Sequence, residues 1–186
     1  MSGFASLRLI ASAALLGVLI HSPLASAQGA AATGQATITL GPSGLPLPRF
    51  VSLKPSRVNS RVGPGANYSV NWMYVKAGLP MEVIQEFDTW RRVRDSDGAE
   101  GWINQSMLSG RRTAIVTPWQ RNKDVRVNLL YKPNKDARVI AMIEPGVMGT
   151  IKACDGQWCE MTFDGHTGWL AQSLVWGAYP GEHVKD

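Results

Sequence analysis

The sequence predicts an all-β protein built from two tandem small barrels. The same signposts recur in the same order in residues 58–110 and 127–177, from Val58-Asn59 and Val127-Asn128 to Gly101-Trp102 and Gly168-Trp169. The offset between the copies drifts only from 69 to 67 residues. This period is too long for a solenoid repeat and suits a small domain that has been duplicated. Neither copy contains a long helical pattern.

Short apolar and β-branched runs separated by Gly, Pro and Asp-Gly turns predict the strands of each copy. The expected strands are Ser56–Val62, Val70–Val75, Met81–Phe87, Trp90–Arg94 and Gly101–Ile103 in the first copy, then Asp124–Leu129, Ala137–Ile143, Gly149–Cys154, Trp158–Phe163 and Gly168–Leu170 in the second. Gln105–Leu108 predicts a single helical or 3₁₀ turn. Gly101 and Gly168 precede tryptophans, which predicts a bend or close backbone approach there.

The chain begins with the pattern of a cleaved secretory signal. Arg8 is followed by the apolar run Leu9–Ile20, and Ala25-Ser26-Ala27 has the form of a signal-peptidase site. The apolar run is short for a membrane span, so a retained N-terminal anchor is the less favoured alternative. We therefore predict a signal peptide at residues 1–27 and a mature protein that is periplasmic or secreted.

The remaining residues divide into a lead, two barrels and a tail. Residues 28–48 are rich in Gly, Ala and Pro and predict a flexible lead, although Leu45–Arg49 could lie on the first barrel as an extended strip. The first barrel is expected at residues 49–112 and the second at 113–178. Residues 179–186 are interpreted as a polar tail in which His183 is disordered. The connection Arg111–Arg121 is too apolar for a free linker, which predicts a packed, fairly rigid pair.

The formal net charge of the full chain is +5. Mild basicity favours nucleic acid in an intracellular protein, but export argues against that partner and favours anionic envelope surfaces. No segment after the signal is apolar enough to cross a membrane, so no stable insertion is expected after cleavage. We expect a monomer.

The two cysteines, Cys154 and Cys159, are the only ones in the chain. An even cysteine count in an exported protein predicts a disulfide. If all four intervening residues form the loop, the cysteines lie directly opposite each other and can bridge. A two-residue turn at Asp155-Gly156 would instead leave them diagonal and too far apart. We expect the bridge and the wider loop, with two free thiols as the alternative.

The segment Val58-Asn59-Ser60-Arg61-Val62-Gly63-Pro64-Gly65-Ala66-Asn67-Tyr68 resembles the opening motif of bacterial Src-homology-3-like domains. Gly78, Trp90, Gly98 and Gly101-Trp102-Ile103 follow in the order of that family. The resemblance covers residues 45–178 and is nearest to exported tandem proteins of Gram-negative bacteria. It implies barrels of five or six strands that bind peptidoglycan, its peptides, or proteins.

The second copy departs from this motif. It has Leu130-Tyr131-Lys132-Pro133 where the first copy has Arg61-Val62-Gly63-Pro64. Any ligand role that the resemblance implies for the motif arginine is therefore expected in the first copy alone, and the second copy is expected to be mainly structural.

No catalytic motif is recognisable. The G-x-S-x-G, H-E-x-x-H and P-loop patterns are missing from the sequence, and His166 lies in a predicted turn. Asp95, Asp97 and Glu100 crowd one loop and could suggest calcium, but acids in a turn are more often turn formers. We expect no enzymatic activity, no cofactor and no metal.

The candidate ligand-binding residues are aromatic or basic: Arg61, Tyr68, Trp72, Tyr74, Trp90 and Trp102. Exposed aromatics beside arginine are typical of a groove for peptides or glycan-linked peptides. The alternatives are that Trp90 and Trp102 belong to the core and that Arg61 is structural, donating to loop carbonyls.

A second set of basic residues comprises Arg91, Arg92 and Arg94 with Arg111-Arg112. This cluster either contacts anionic wall polymer or forms a solvated strand face. The sequence thus favours a non-enzymatic envelope protein that binds peptidoglycan or its stem peptides. The alternative is a regulatory subunit that docks an envelope enzyme through protein contacts.

Overall fold

The computed structural model describes residues 39–185. The predicted signal peptide and residues 28–38 of the predicted lead lie outside this range. Among the described residues the regular structure consists of β-strands and three short 3₁₀ turns, with no α-helix. No helix within residues 39–185 is long and apolar enough to cross a membrane.

The first two strands, β1 (Thr39–Leu40) and β2 (Pro46–Leu47), form a small antiparallel hairpin. The first barrel follows as one seven-stranded antiparallel sheet. Its strands are β3 (Arg49–Leu53), β4 (Val58–Arg61), β5 (Val70–Tyr74), β6 (Pro80–Phe87), β7 (Trp90–Arg94), β8 (Glu100–Asn104) and β9 (Leu108–Ser109). Their order across the sheet is β5-β4-β8-β7-β6-β3-β9, so β5 is a terminal strand.

The second barrel repeats this arrangement strand for strand. Its strands are β10 (Thr113–Val116), β11 (Val127–Leu130), β12 (Val139–Ile143), β13 (Met148–Asp155), β14 (Trp158–Phe163), β15 (His166–Ala171), β16 (Val175–Trp176) and β17 (His183–Lys185). The order β12-β11-β15-β14-β13-β10-β16 corresponds position by position to that of the first sheet, and β17 adds to β13. Identical strand order confirms that the sequence repeat is a repeat of the fold.

Each sheet curls around its own core. Val83, Val93 and Ile103 are fully buried in the first barrel, and Ile151, Met161 and Leu170 hold the corresponding positions in the second. The two buried clusters share no residue. Inward residues alternate with outward ones along β7, β8, β14 and β15, as expected when one face of a sheet covers a core.

The sequence predicted the inner strands of each copy correctly but did not predict the first strand of either copy. Trp90–Arg94 and Trp158–Phe163 are strands with the predicted bounds, and a 3₁₀ turn begins at Gln105 as expected. Strands β3 and β10 were not predicted because they precede the recognisable motif of each copy. The apolar connection between the barrels is therefore itself the first strand of the second sheet.

The predicted disulfide is present between Cys154 and Cys159, with an S–S distance of 2.02 Å. The two residues are direct partners in the β13–β14 register, and their Cα atoms are 4.1 Å apart. The carboxylate of Asp155 accepts hydrogen bonds from the backbone N–H groups of Gln157 and Trp158, at 2.9 and 2.7 Å. These bonds close the wider loop that the bridge requires.

Both ends of the described range, residues 39–185, differ from expectation. The part of the predicted flexible lead that the structure describes is ordered: Ser43 donates from its backbone N–H and its hydroxyl to Glu86, at 2.9 and 2.8 Å. The predicted polar tail is also wrong in its described part, because His183 lies in β17 and Val184 is buried against the second core. At the N-terminal side the contact is made by the buried carboxylate of Glu86 on β6. At the C-terminal side β17 pairs with the edge of β13, the counterpart of β6.

The two barrels pack against each other. The Tyr179 hydroxyl donates to Glu82 Oε1 at 2.8 Å, and Thr113 Oγ1 donates to the Gly78 carbonyl at 2.7 Å. Phe50 of the first barrel stacks edge-on against Trp176 of the second, with ring centroids 5.1 Å apart. These contacts confirm the predicted packing of the pair, and its rigidity stays a prediction.

Candidate functional site

A groove on the outside of the first barrel contains two of the predicted ligand residues. Arg61 is the register partner of Trp102, and Trp102 is the partner of Arg92, so β4, β8 and β7 place the three side chains side by side on one face. Val62, Asn71 and Glu100 complete a depression of about 400 Å³. We call this surface the outer groove.

Gly101 allows the outer groove to form. A Cβ atom at this position would collide with Ser60 Oγ and lie 3.2 Å from the carbonyl oxygen of Arg61. Only glycine lets β8 approach β4 closely enough for the Arg61–Trp102 pairing. The close backbone approach that the sequence predicted at this glycine is thus confirmed.

The outer groove carries mixed charge. Arg92 pairs with Glu100 at 2.7 Å between Nη2 and Oε2, and Asn71 Nδ2 donates to the Glu100 carbonyl at 3.3 Å. Arg61 Nη1 donates to the Tyr68 carbonyl at 2.6 Å. This bond confirms the structural interpretation of Arg61, and it also fixes the guanidinium at the rim of the groove.

A second concave surface lies on the other side of β5. Trp72 is 59% exposed and its ring meets the ring of Tyr74 at a centroid distance of 6.5 Å. Val75, Pro80 and Ile115 continue an apolar depression of about 270 Å³. We call it the Trp72 pocket.

Tyr74 is a floor of the Trp72 pocket rather than an exposed ligand contact. It is buried in the first core, and its hydroxyl donates to Asp95 Oδ2 at 3.0 Å. Burial, together with the Asp95 carboxylate, raises the pKa of the Tyr74 phenol well above its usual value. The expectation that Tyr74 contacts a ligand from an exposed position is therefore corrected.

The acids of the β7–β8 loop each have a protein partner. Asp95 Oδ1 accepts from the backbone N–H groups of Asp97 and Ala99, at 3.0 and 2.9 Å, which confirms it as a turn former. Asp97 pairs with Arg121, and Glu100 pairs with Arg92. Among residues 39–185, no group of three or more His, Cys, Asp or Glu side chains is placed to hold a metal ion.

The predicted ligand residues therefore fall on two surfaces. Arg61 and Trp102 line the outer groove, whereas Trp72 and Tyr74 line the Trp72 pocket. Trp90 shares the outer face with Arg92 and is the register partner of Asn104, one diagonal step from Trp102. Tyr68 is 43% exposed and packs over Gly63, where a Cβ would collide with its ring.

Trp90 and Trp102 are half-buried on the outer face and do not belong to the first core, so the core interpretation of these residues was wrong. The arginine cluster also divides. Arg91 points inward and pairs with Glu86, while Arg92 and Arg94 point outward. Strand alternation from Trp90 contained this information, because residues two apart share a face.

The second barrel has a different outer face. By register, Leu130 replaces Arg61, Glu160 replaces Arg92 and Trp169 replaces Trp102. The tryptophan is kept and both cations are lost.

The sequence profile of the bacterial SH3 domain family matches residues 54–110 and 123–177. The two matches cover more than half of the chain, and each lies within one barrel. They leave out the first strand of each barrel, β3 or β10, and the strand β17. The chain therefore belongs to the bacterial SH3 domain family, as a tandem pair, and this family is one of binding domains. A search of curated proteins finds no significant match.

Two solved structures are among those that match this chain. NlpC2 from Trichomonas vaginalis is 11% identical with a TM-score of 0.31, and 69% of this chain and 48% of that chain are covered. NlpC1 from the same organism is 10% identical with a TM-score of 0.30, and the coverage is 69% and 45%. This chain thus spans about half the length of those proteins, and similarity at this level says nothing about its function.

Proposed function

We propose that this protein is a non-enzymatic, exported component of the bacterial envelope whose first SH3 domain binds peptidoglycan through its stem peptides. The observation that carries the proposal is the outer groove, where Arg61 and Arg92 flank Trp102. Stem peptides carry free carboxylates, which guanidinium groups recognise, and a half-exposed indole supplies apolar contact area.

The second domain supports the assignment of the groove to the first. Its corresponding residues are Leu130, Glu160 and Trp169, so it lacks both cations and adds a carboxylate. A carboxylate ligand is repelled there by Glu160. We propose that the second domain is structural and holds the first through the Tyr179–Glu82 and Phe50–Trp176 contacts.

Absence of catalysis is part of the proposal. Both cysteines are oxidised in the disulfide, so neither supplies a thiolate nucleophile. His166 and His183 are both exposed, one at a hairpin turn and one on an edge strand.

The test is co-sedimentation with purified peptidoglycan sacculi at low and high salt. Trp102→Ala and Arg92→Glu are expected to weaken binding by about tenfold or more, and some wild-type binding should survive high salt because the indole contact is not screened. Trp169→Ala is the matched control in the second domain and should bind as wild type. Thermal melts verify that each variant is folded.

Two outcomes would contradict wall binding: no pelleting of the wild-type protein, or pelleting that salt abolishes and that Trp102→Ala leaves unchanged. Either result would leave protein docking as the function. That second candidate is favoured by a separate observation, the exposed indole of Trp72 beside an apolar pocket.

A further inference from the structure

Strand β5 has a free edge. It is the terminal strand of the first sheet, and among the described strands it pairs only with β4. An unpaired strand edge presents a row of backbone N–H and C=O groups that can template another strand. The register with β4 is regular from Val58–Tyr74 to Ser60–Trp72, so this part of β5 has no bulge, and the irregularity lies beyond it at Arg61.

The side chains along this edge are apolar and exposed. Trp72, Met73 and Val75 are 59%, 47% and 65% exposed. Natural proteins usually protect such an edge with charge or proline. The corresponding edge of the second domain is less apolar, because Ala141 and Glu144 stand where the first has Trp72 and Val75. Met142 and Val139 are nevertheless exposed on that edge, at 64% and 40%. What is particular to the first domain is therefore the exposed indole of Trp72.

The Trp72 pocket lies beside this edge and has a charged rim. Its apolar wall is formed by Trp72, Tyr74 and Pro80. Its rim carries the carboxylates of Asp95 and Asp97 together with the cations of Lys76 and Arg121. The rim already holds a guanidinium from the chain itself. Arg121 Nη1 contacts both Asp97 carboxylate oxygens at 3.0 Å, and Nη2 donates to Ser96 Oγ at 3.2 Å.

We infer that the β5 edge docks an extended segment of a partner protein by strand addition. The segment pairs its backbone with β5, places one apolar side chain in the Trp72 pocket, and brings an arginine or lysine to Asp97 in place of Arg121. Strand addition takes affinity from backbone hydrogen bonds and specificity from alternate side chains, which is what this edge and pocket provide. The inference specifies the protein-docking candidate and is independent of wall binding.

The first test is selection of random heptapeptides displayed on phage, using the protein from Gln28 to Asp186 and its Trp72→Ala variant as targets. The expected result is a family of peptides enriched on the wild type alone, with alternating β-branched residues, one large apolar anchor and a nearby basic residue. Selection that enriches the same peptides on Trp72→Ala, or enriches none on the wild type, would overturn the inference.

The second test uses the synthetic consensus peptide and measures its affinity by calorimetry. Trp72→Ala is expected to weaken binding at least about tenfold, and Met142→Ala, on the corresponding edge of the second domain, should have no effect. Arg121→Gln removes the internal competitor and is expected to strengthen binding by up to about fivefold. Weaker binding to Arg121→Gln would contradict the proposed place of the basic residue.

Hydrogen bonding between the peptide backbone and β5 can be tested separately from the side-chain contacts. N-methylation of the peptide at successive positions should abolish binding at every second residue and be tolerated between them, because only alternate N–H groups face β5. If N-methylation had the same effect at every position of the peptide, strand addition would be excluded.

Sedimentation velocity tests whether the edge pairs with a second copy of the chain. Self-association that is lost in Trp72→Ala would show this pairing and would overturn docking of a different partner.

Discussion

Cys154 and Cys159 form their disulfide at the position where the first barrel holds a buried ion pair. Glu86 and Arg91 are direct partners on β6 and β7, as the two cysteines are on β13 and β14. The side chains of Glu86 and Arg91 are 1% and 7% exposed, and Arg91 Nε lies 3.2 Å from Glu86 Oε1. The same end of the hairpin is thus closed by an ion pair in the first domain and by a disulfide in the second.

The ion pair belongs to a larger network. Arg49 Nη2 contacts Glu86 Oε1 at 2.7 Å, and Ser43 donates two hydrogen bonds to the same carboxylate. Arg91 donates to the carbonyls of Asp88 and Trp90 and to the side chain of Gln105. A buried pair is sustained only when its remaining hydrogen-bonding groups are satisfied, and this network does so.

The equivalence of the two positions predicts that the disulfide can be transplanted. The double variant Glu86→Cys with Arg91→Cys should form a second bridge on oxidation, because the register places the two Cα atoms directly opposite each other. Counting free thiols under denaturing conditions checks it, and none is expected. Two free thiols after oxidation would show that the hairpin ends differ in geometry.

Glu86 makes the stability of the first barrel depend on pH. Burial by itself raises the pKa of this carboxyl, but the hydrogen bonds from Ser43 and Arg49 outweigh it and hold the pKa below its usual value. A lowered folded-state pKa gives stability that is complete above the unfolded value of about 4.3 and is lost as the pH falls through the folded pKa. Urea unfolding between pH 3 and 7 should show this loss.

Glu86→Gln is the variant that isolates the effect. It breaks a buried pair and is expected to lower the free energy of unfolding by about 3–5 kcal/mol at pH 7, since Arg91 keeps its charge. Below pH 4 the difference in the free energy of unfolding between the variant and the wild type should become smaller. If this difference stays constant from pH 3 to 7, the protonation of Glu86 is not coupled to unfolding.

The Tyr179 hydroxyl makes one of the hydrogen bonds between the two barrels. Tyr179→Phe keeps the ring against Phe50, 4.7 Å between centroids, and removes the hydrogen bond to Glu82. The expected loss is about 1.5–3 kcal/mol, the usual range for a hydrogen bond to a charged group. Unfolding followed by tryptophan fluorescence measures it, and Tyr131→Phe, on an exposed residue, is the control.

Gly168 is the position in the second domain that corresponds to Gly101. A Cβ there would lie 2.7 Å from the Leu130 carbonyl oxygen and 2.8 Å from Leu129 Cγ. Gly168→Ala should destabilise the protein by about 1–3 kcal/mol through overpacking. Gly110→Ala, where nothing lies within 4 Å of the added atom, should change stability by less than about 0.5 kcal/mol. Equal melting curves for the two variants would be the contrary result.

The sequence by itself determined the repeat, the β class and the disulfide. Strand alternation, Asp-Gly turns and glycines before Trp102 and Trp169 are local signals, and each acts within a few residues of its own position. The cysteine pairing was likewise a question of loop length between two adjacent strands. These features needed no knowledge of what packs against them.

Only the tertiary structure decided where the candidate site residues lie. Arg61 and Trp72 are close in sequence, yet the first lines the outer groove and the second lines the Trp72 pocket, because β5 separates the two surfaces. The described part of the lead, residues 39–48, and the tail strand β17 depend on partners more than 25 residues away, such as Glu86 for Ser43 and Cys154 for Val184. Burial and pairing of this kind are set by contacts between distant segments, and no local pattern encodes them.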